Sequence, residues 1–275
     1  MRVIGVISWF NESPSWLAAT VASLARVCDH VVAVDGRYAL FPHDLAASPI
    51  QEAQTILETA EGAGVACTVH RPVEPFYGNE IEKRNLLLQL ALVHAEPMLD
   101  WLIVLDGDEY IVDHAADFRD QLERTDRHVA TYALQEYLDP NRPEMPLNVA
   151  RMRSLPDVWQ VPIRSIYRAL PGLTYRGTHY SVAGEIDGTT TWLWGHPAQV
   201  PELDLSSFLR VRHRNPLRPL QRRQQAAGYY RARDELRIEQ SPGAAPPDPP
   251  IGADDGNRDD GDGEHVLDDG ALRRA

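Results

Sequence analysis

The sequence predicts an α/β fold with a largely parallel sheet, and three observations carry that prediction. Short apolar runs alternate with helix-like stretches from residue 3 to residue 106, the pattern of strand–helix–strand units. Polar residues stand just beyond three of those runs, at Asn11, Asp35 and Asp106, and ligands of such sheets sit at the carboxyl ends of strands. After Asp113 the segments shorten and turn strand-like, which implies a mixed second half.

The elements follow in order. Val3 to Phe10 reads as the first strand. In "NESPSW", Asn11 or Ser13 can cap a helix and Pro14 suits its first turn. Trp16, Leu17, Thr20, Val21 and Leu24 then recur at helical spacing. "HVVAVDGR" is a second strand ending in Asp35 and Gly36, a helix runs from about Pro49 to Glu61, and "VACTVH" is a third strand. "GNEIEKRNLLLQLALVHAE" is a strong helix, and a fourth strand begins at Trp101. Beyond it, "RHVATYALQEYL", "VPIRSIYRAL", "LTYRGTHYSV" and "TTTWLWGH" read as strands, and a last helix spans about Pro216 to Ile238. One domain is expected over residues 1–239, with halves at 1–113 and 114–239.

Composition narrows the partners. The chain has 275 residues, 43% apolar, and a net charge of −13, the wrong sign for a general nucleic-acid binder. No run of 18 apolar residues is present, so no transmembrane helix is expected. "MRVIGVISWFNE" lacks a small-residue cleavage site and reads as a strand rather than a signal peptide. Cys28 and Cys67 form no disulfide framework or zinc spacing, and free thiols point to the cytoplasm. Residues 240–275 are expected to form a disordered acidic tail, because a stretch rich in Pro, Gly, Asp and Ala buries too little apolar surface to offset chain entropy.

The chemistry concentrates in "WLIVLDGDEYIVD", residues 101–113. Buried carboxylates are costly unless paired or bound to metal. Gly107 permits a turn that brings Asp106 and Asp108 toward one cation, and hard oxygen ligands suit magnesium or manganese. An ordinary solvated turn would use the same residue types.

"ISWFNE", "VVAVDGR", "EKRN" and "LIVLDGDE" occur in an order and spacing that resembles the family 2 glycosyltransferases of the GT-A fold, over roughly residues 1–113. The resemblance implies a metal-dependent, hexosyltransferase-like enzyme using a UDP- or GDP-sugar donor and inverting the sugar. It implies that Asp106 and Asp108 handle metal and donor, that Asp35 faces the base or ribose, and that Glu12 lines the nucleotide pocket. Lys83 and Arg84 match basic residues near the nucleotide and diphosphate. The second strand ends "VDGRYALFP", without the family's Ser/Thr-rich continuation. The acceptor is a glycan, a protein or a lipid-linked molecule.

An inverting enzyme needs a base for the acceptor hydroxyl. Glu136 and His179 are the leading candidates, with Glu185 and Asp187 as others, whereas His196 reads as structural. Residues 208–233 hold eight arginines, one histidine and no acidic residue. This segment is either a solvated arginine face, a phosphate-facing lid or a contact for anionic lipid. As a lid it offers His213 as the late histidine that many GT-A enzymes use as a third metal ligand. Arg210, Arg212 or Arg214 would then clamp the diphosphate, and Arg212 is carried forward as the donor ligand. Two alternatives are a non-catalytic nucleotide-binding module of the same fold and a HAD-type phosphatase. The phosphatase would need its Asp-x-Asp on the first strand rather than the fourth.

Overall fold

A computed structural model describes residues 1–76, 80–137, 153–155, 158–194, 200–214 and 217–240. Thirteen strands and five helices appear among them. The first half runs β1 (Val3–Ser8), α1 (Pro14–Leu24), β2 (His30–Val34), α2 (Ile50–Gly62), β3 (Ala66–His70), α3 (Glu80–Val93), β4 (Trp101–Asp106), β5 (Glu109–His114) and α4 (Phe118–Arg124). The second runs β6 (Val129–Tyr137), β7 (Arg153–Leu155), β8 (Val158–Arg168), β9 (Thr174–Arg176), β10 (Thr178–Ile186), β11 (Thr189–Trp194), β12 (Leu203–Asp204), β13 (Leu209–His213) and α5 (Leu220–Gln240).

The fold class is α/β, as expected. The main sheet has the order β3-β2-β1-β4-β8-β6-β13-β5, and its first four strands are parallel. β8 joins β4 antiparallel, and the sheet is mixed from there on. All six residues of β1 are buried, because helices cover both faces of a parallel sheet. One face packs against α1, α2 and α4 through Leu17, Val21, Ile56 and Phe118. The other packs against α3 and a small sheet, β11-β10-β9, through Leu87, Leu88, Tyr175 and Leu193.

Several boundaries differ from the sequence reading. β1 stops at Ser8, although the Trp9 amide still donates to the Val34 carbonyl at 3.1 Å. Ser13 stands at the N-cap of α1 with Pro14 next, but its hydroxyl meets Ser15 rather than a helix amide. The motif stretch holds two strands, β4 and β5, joined at Gly107. The basic segment is not one helix. Its first part is β13, wedged inside the main sheet between β6 and β5, so only the part from Leu217 onward is placed to cover a cleft. The last helix begins at Leu220 and reaches Gln240. Gln240, expected to open the disordered tail, closes this helix instead, and the rest of that tail, residues 241–275, and His196 lie outside the described residues. No helix among the described residues is long and apolar enough to cross a membrane.

Candidate functional site

Strand register builds the site. Ser8 of β1 pairs with Val34 of β2 and with Asp106 of β4, so the residues that follow each strand emerge at one rim. Gly107 lies against the β1 exit, where its amide donates to the Ser8 carbonyl at 2.8 Å. A Cβ at Gly107 would stand 2.8 Å from the Cβ of Trp9. Glycine is required here by close approach.

The turn sends its two aspartates to different partners. Asp106 is partly exposed, and Arg84 donates to both its oxygens at 3.1 Å. Asp108 is 1% exposed. Its Oδ2 lies 3.1 Å from His213 Nε2 and 3.2 Å from Arg218. Burial would raise the Asp108 pKa, but His213 and Arg218 override it and hold the carboxyl well below its usual range. For His213 burial opposes the charge, yet Asp108 first and then hydrogen bonds to Asp108 and Glu136 raise its pKa well above the ordinary value. The ring is therefore an imidazolium, ion-paired with Asp108 and donating through Nδ1 to Glu136 at 2.7 Å.

Glu109 follows Asp108 and is also buried. Its Oε2 accepts from the Asp106 amide at 3.0 Å, so it fixes the turn. Burial, then the neighbouring Asp106 charge, push its pKa up to about 8, and the group holds its proton at neutral pH.

Glu12 follows the left-handed Asn11 (φ 50°) and turns inward. It accepts from Arg218, and burial lifts it to about 7 against the pull of that arginine. Asp35 is wholly buried. Its carboxylate accepts from the Gly36 amide, from both the amide and hydroxyl of Ser48, and from Arg71 at 3.3 Å. Lys83 is equally buried. Its Nζ donates to the carbonyls of Trp9 and Gly36, tying the exits of β1 and β2 together. Burial lowers its pKa to about 7 against Asp35 and Asp106, and a neutral amine still has protons for both carbonyls. Arg212 donates to Gln135 at 2.9 Å. His179 lies in β10, and its side chain is outside the described set.

Two residues that sequence reasoning missed close the rim. Arg218 bridges Glu12 and Asp108. Arg222 donates to the Phe10 carbonyl at 2.7 Å and lies 4.4 Å from the Phe41 ring centroid. Tyr229, 1% exposed, packs beside Phe41 and Tyr38 and anchors α5. The signal for both arginines was the basic segment itself, whose lack of acidic residues leaves its charge to be met elsewhere. Between α5 and the β1 exit lies a cleft of about 490 Å³, lined by Asn11, Trp16, His43, Arg218, Gln221 and Arg222.

Among the described residues no three His, Cys, Asp or Glu side chains converge as a metal cluster. The donor set nevertheless fits a hard cation. Asp106 and Asp108 stand two residues apart on one turn, and magnesium commonly takes one or two carboxylates with substrate phosphates completing its shell, whereas His213 as an imidazolium offers no lone pair.

No family model matches this chain, and no curated protein is similar to it. Among solved structures it resembles a candidate glucose-1-phosphate thymidylyltransferase from Bacillus anthracis in complex with a sucrose. That likeness has 11% identity and a TM-score of 0.36, and covers 61% of this chain and 72% of the other. A likeness this distant bears no functional weight, and the reading below rests on the site.

Proposed function

We propose that the chain is a glycosyltransferase of the GT-A type, moving a sugar from a nucleotide-sugar donor to a hydroxyl acceptor with a divalent metal. One observation carries this reading. A buried aspartate–imidazolium pair and a half-exposed aspartate share one strand-exit turn, ringed by Arg84, Arg218 and Arg222. Such a rim matches a ligand that is itself a cation joined to a diphosphate. Asp106 and Asp108 would hold magnesium or manganese, with His213 joining them only as a neutral imidazole once it has given up its proton, and the cation when bound neutralises charge on the departing diphosphate.

The residues of the chain supply the rest. Arg84 and Arg218 present guanidinium groups to phosphate oxygens, where charge grows as the bond from the sugar carbon to phosphate oxygen breaks. Glu136, on the rim and oriented by His213, takes the proton of the acceptor hydroxyl as its oxygen bonds to the sugar carbon. Lys83 and Asp35 position the site, holding β1, β2 and the loop carrying Ser48 in register. Arg212 acts through Gln135 at the floor.

Nucleotide sugars screened by thermal shift, with and without manganese, test this. One donor should raise the melting temperature in a metal-dependent way and be turned over to its nucleoside diphosphate. Glu136→Gln should keep donor binding and slow turnover by about 10²–10⁴-fold. No stabilisation by any nucleotide sugar would reject the reading. Stabilisation without turnover would instead favour a non-catalytic nucleotide-binding module.

A further inference from the structure

Arg218 occupies an unusual position. It precedes α5 by two residues, and its guanidinium is packed between two carboxylates, Glu12 and Asp108. Both carboxylates are buried, at 7% and 1% exposure, and Asp108 is the most enclosed oxygen donor of the acidic turn. A cation approaching Asp108 meets His213 on one side and Arg218 on the other.

The chain around Arg218 is pinned on both sides. Arg214 stacks at 4.0 Å on the Tyr110 ring, and its amide donates to the Asp108 carbonyl at 3.0 Å. Arg222 is fixed on Phe41 and the Phe10 carbonyl. Arg218 lies between these two anchors. An arginine stem is long and flexible, so the guanidinium can move off Asp108 while α5 stays docked. The cleft lined by Gln221, Arg222 and Asn11 gives it room.

We propose that Arg218 is the placeholder for the divalent cation. Without ligand its guanidinium supplies the positive charge that Asp108 and Glu12 face, and it competes with metal for Asp108. When a metal–diphosphate enters, the cation takes Asp108 and the released guanidinium binds the diphosphate. One residue therefore opposes free metal and favours metal that arrives with phosphate. The inference rests on Asp108 being a metal ligand, as proposed above, and does not require any particular sugar or acceptor.

The test needs no turnover. Manganese binding to the full chain is measured by electron paramagnetic resonance, in wild type, Arg218→Ala, Arg218→Lys and Asp108→Asn. Arg218→Ala should bind manganese alone about tenfold tighter, the scale of one charge-assisted contact, with Arg218→Lys between it and wild type. Asp108→Asn should abolish binding. Calorimetry with inorganic pyrophosphate at saturating manganese should show the opposite sign, with Arg218→Ala binding about tenfold weaker. If alanine does not fold, Arg218→Gln serves the same comparison. Equal or weaker manganese affinity in the variant, or manganese bound by none of the proteins, overturns the placeholder. Unchanged pyrophosphate affinity overturns the clamp. Failure of every nucleotide sugar in the turnover assay, with the manganese shift intact, would reject the enzyme reading and leave this one standing.

Discussion

The parallel and mixed halves of the sheet meet at β4, and they bring opposite charges to the same rim. The parallel half supplies Glu12, Asp35, Asp106 and Asp108 at strand exits. The mixed half and α5 supply His213, Arg214, Arg218 and Arg222. Within the parallel half Arg84 meets the acidic turn, and it takes the more exposed aspartate. The difference teaches how the site is assembled. The carboxylates are placed locally, each by the strand it follows, whereas their counter-charges come from far along the chain. Of the two aspartates of the turn, the more buried one, Asp108, depends on the distant half.

The sharpest way to break that comparison is to remove each aspartate in turn. Asp108→Ala leaves an imidazolium and a guanidinium without their shared partner, and breaking a buried pair costs about 3–5 kcal/mol. Asp106→Ala leaves Arg84 its second partner, Glu80 at 3.7 Å, and should cost under about 1 kcal/mol. Urea unfolding distinguishes them, and equal losses would contradict the division of labour between the halves. Next in size is Gly107→Ala. Its Cβ would collide with Trp9 across the β1–β4 seam, for about 1–3 kcal/mol of overpacking, read in the same unfolding series.

A pH profile sharpens the account of the parallel half. Glu52 accepts from the Glu12 amide, and burial raises its pKa from 4.5 to about 7. Between those values the folded protein keeps a proton that the unfolded chain has released. The stability from this group is therefore full below about pH 4.5 and lost as pH rises to about 7. Glu52→Gln removes that loss, so its advantage over wild type should grow across the window to roughly 1–2 kcal/mol. A constant difference from pH 4.5 to 8 would show that Glu52 is not the group responsible. The smallest effect is expected at Arg210, paired with Asp113 across the exposed edge of β13 and β5. Arg210→Ala should leave urea unfolding nearly unchanged, and a clear loss would mean that the edge ladder needs the pair.

Much of the parallel half was legible in the sequence, because strand exits are local events. Apolar runs ending in Asp35 and Asp106 put those residues at a common rim without any long-range information. The fate of their side chains was less legible. Asp35 and Lys83 turn out to be enclosed by Ser48, Arg71, Trp9 and Gly36, partners set by loop packing rather than by spacing. The mixed half was harder. "FLRVRH" carries apolar residues on alternate positions, yet its charge made the whole segment resemble one surface feature. Arg210 and Arg212 share one side of the strand, alternating with buried Leu209 and Val211, and no local pattern says which strands will flank it.

The place of β13 also has a consequence in time. β5 is an edge strand whose ladder partner is β13, pairing Glu109 with His213 across about a hundred residues. A ribosome making about 5–20 residues per second releases the acidic turn roughly 5–20 seconds before its imidazolium. Until then the nascent chain carries an open strand edge beside Asp106 and Asp108, and the long-range pairing that closes it is intrinsically late. The motif is thus complete as text well before it is complete as an object, and a chain halted short of Leu209 would carry the acids with neither the strand nor the charges that enclose them.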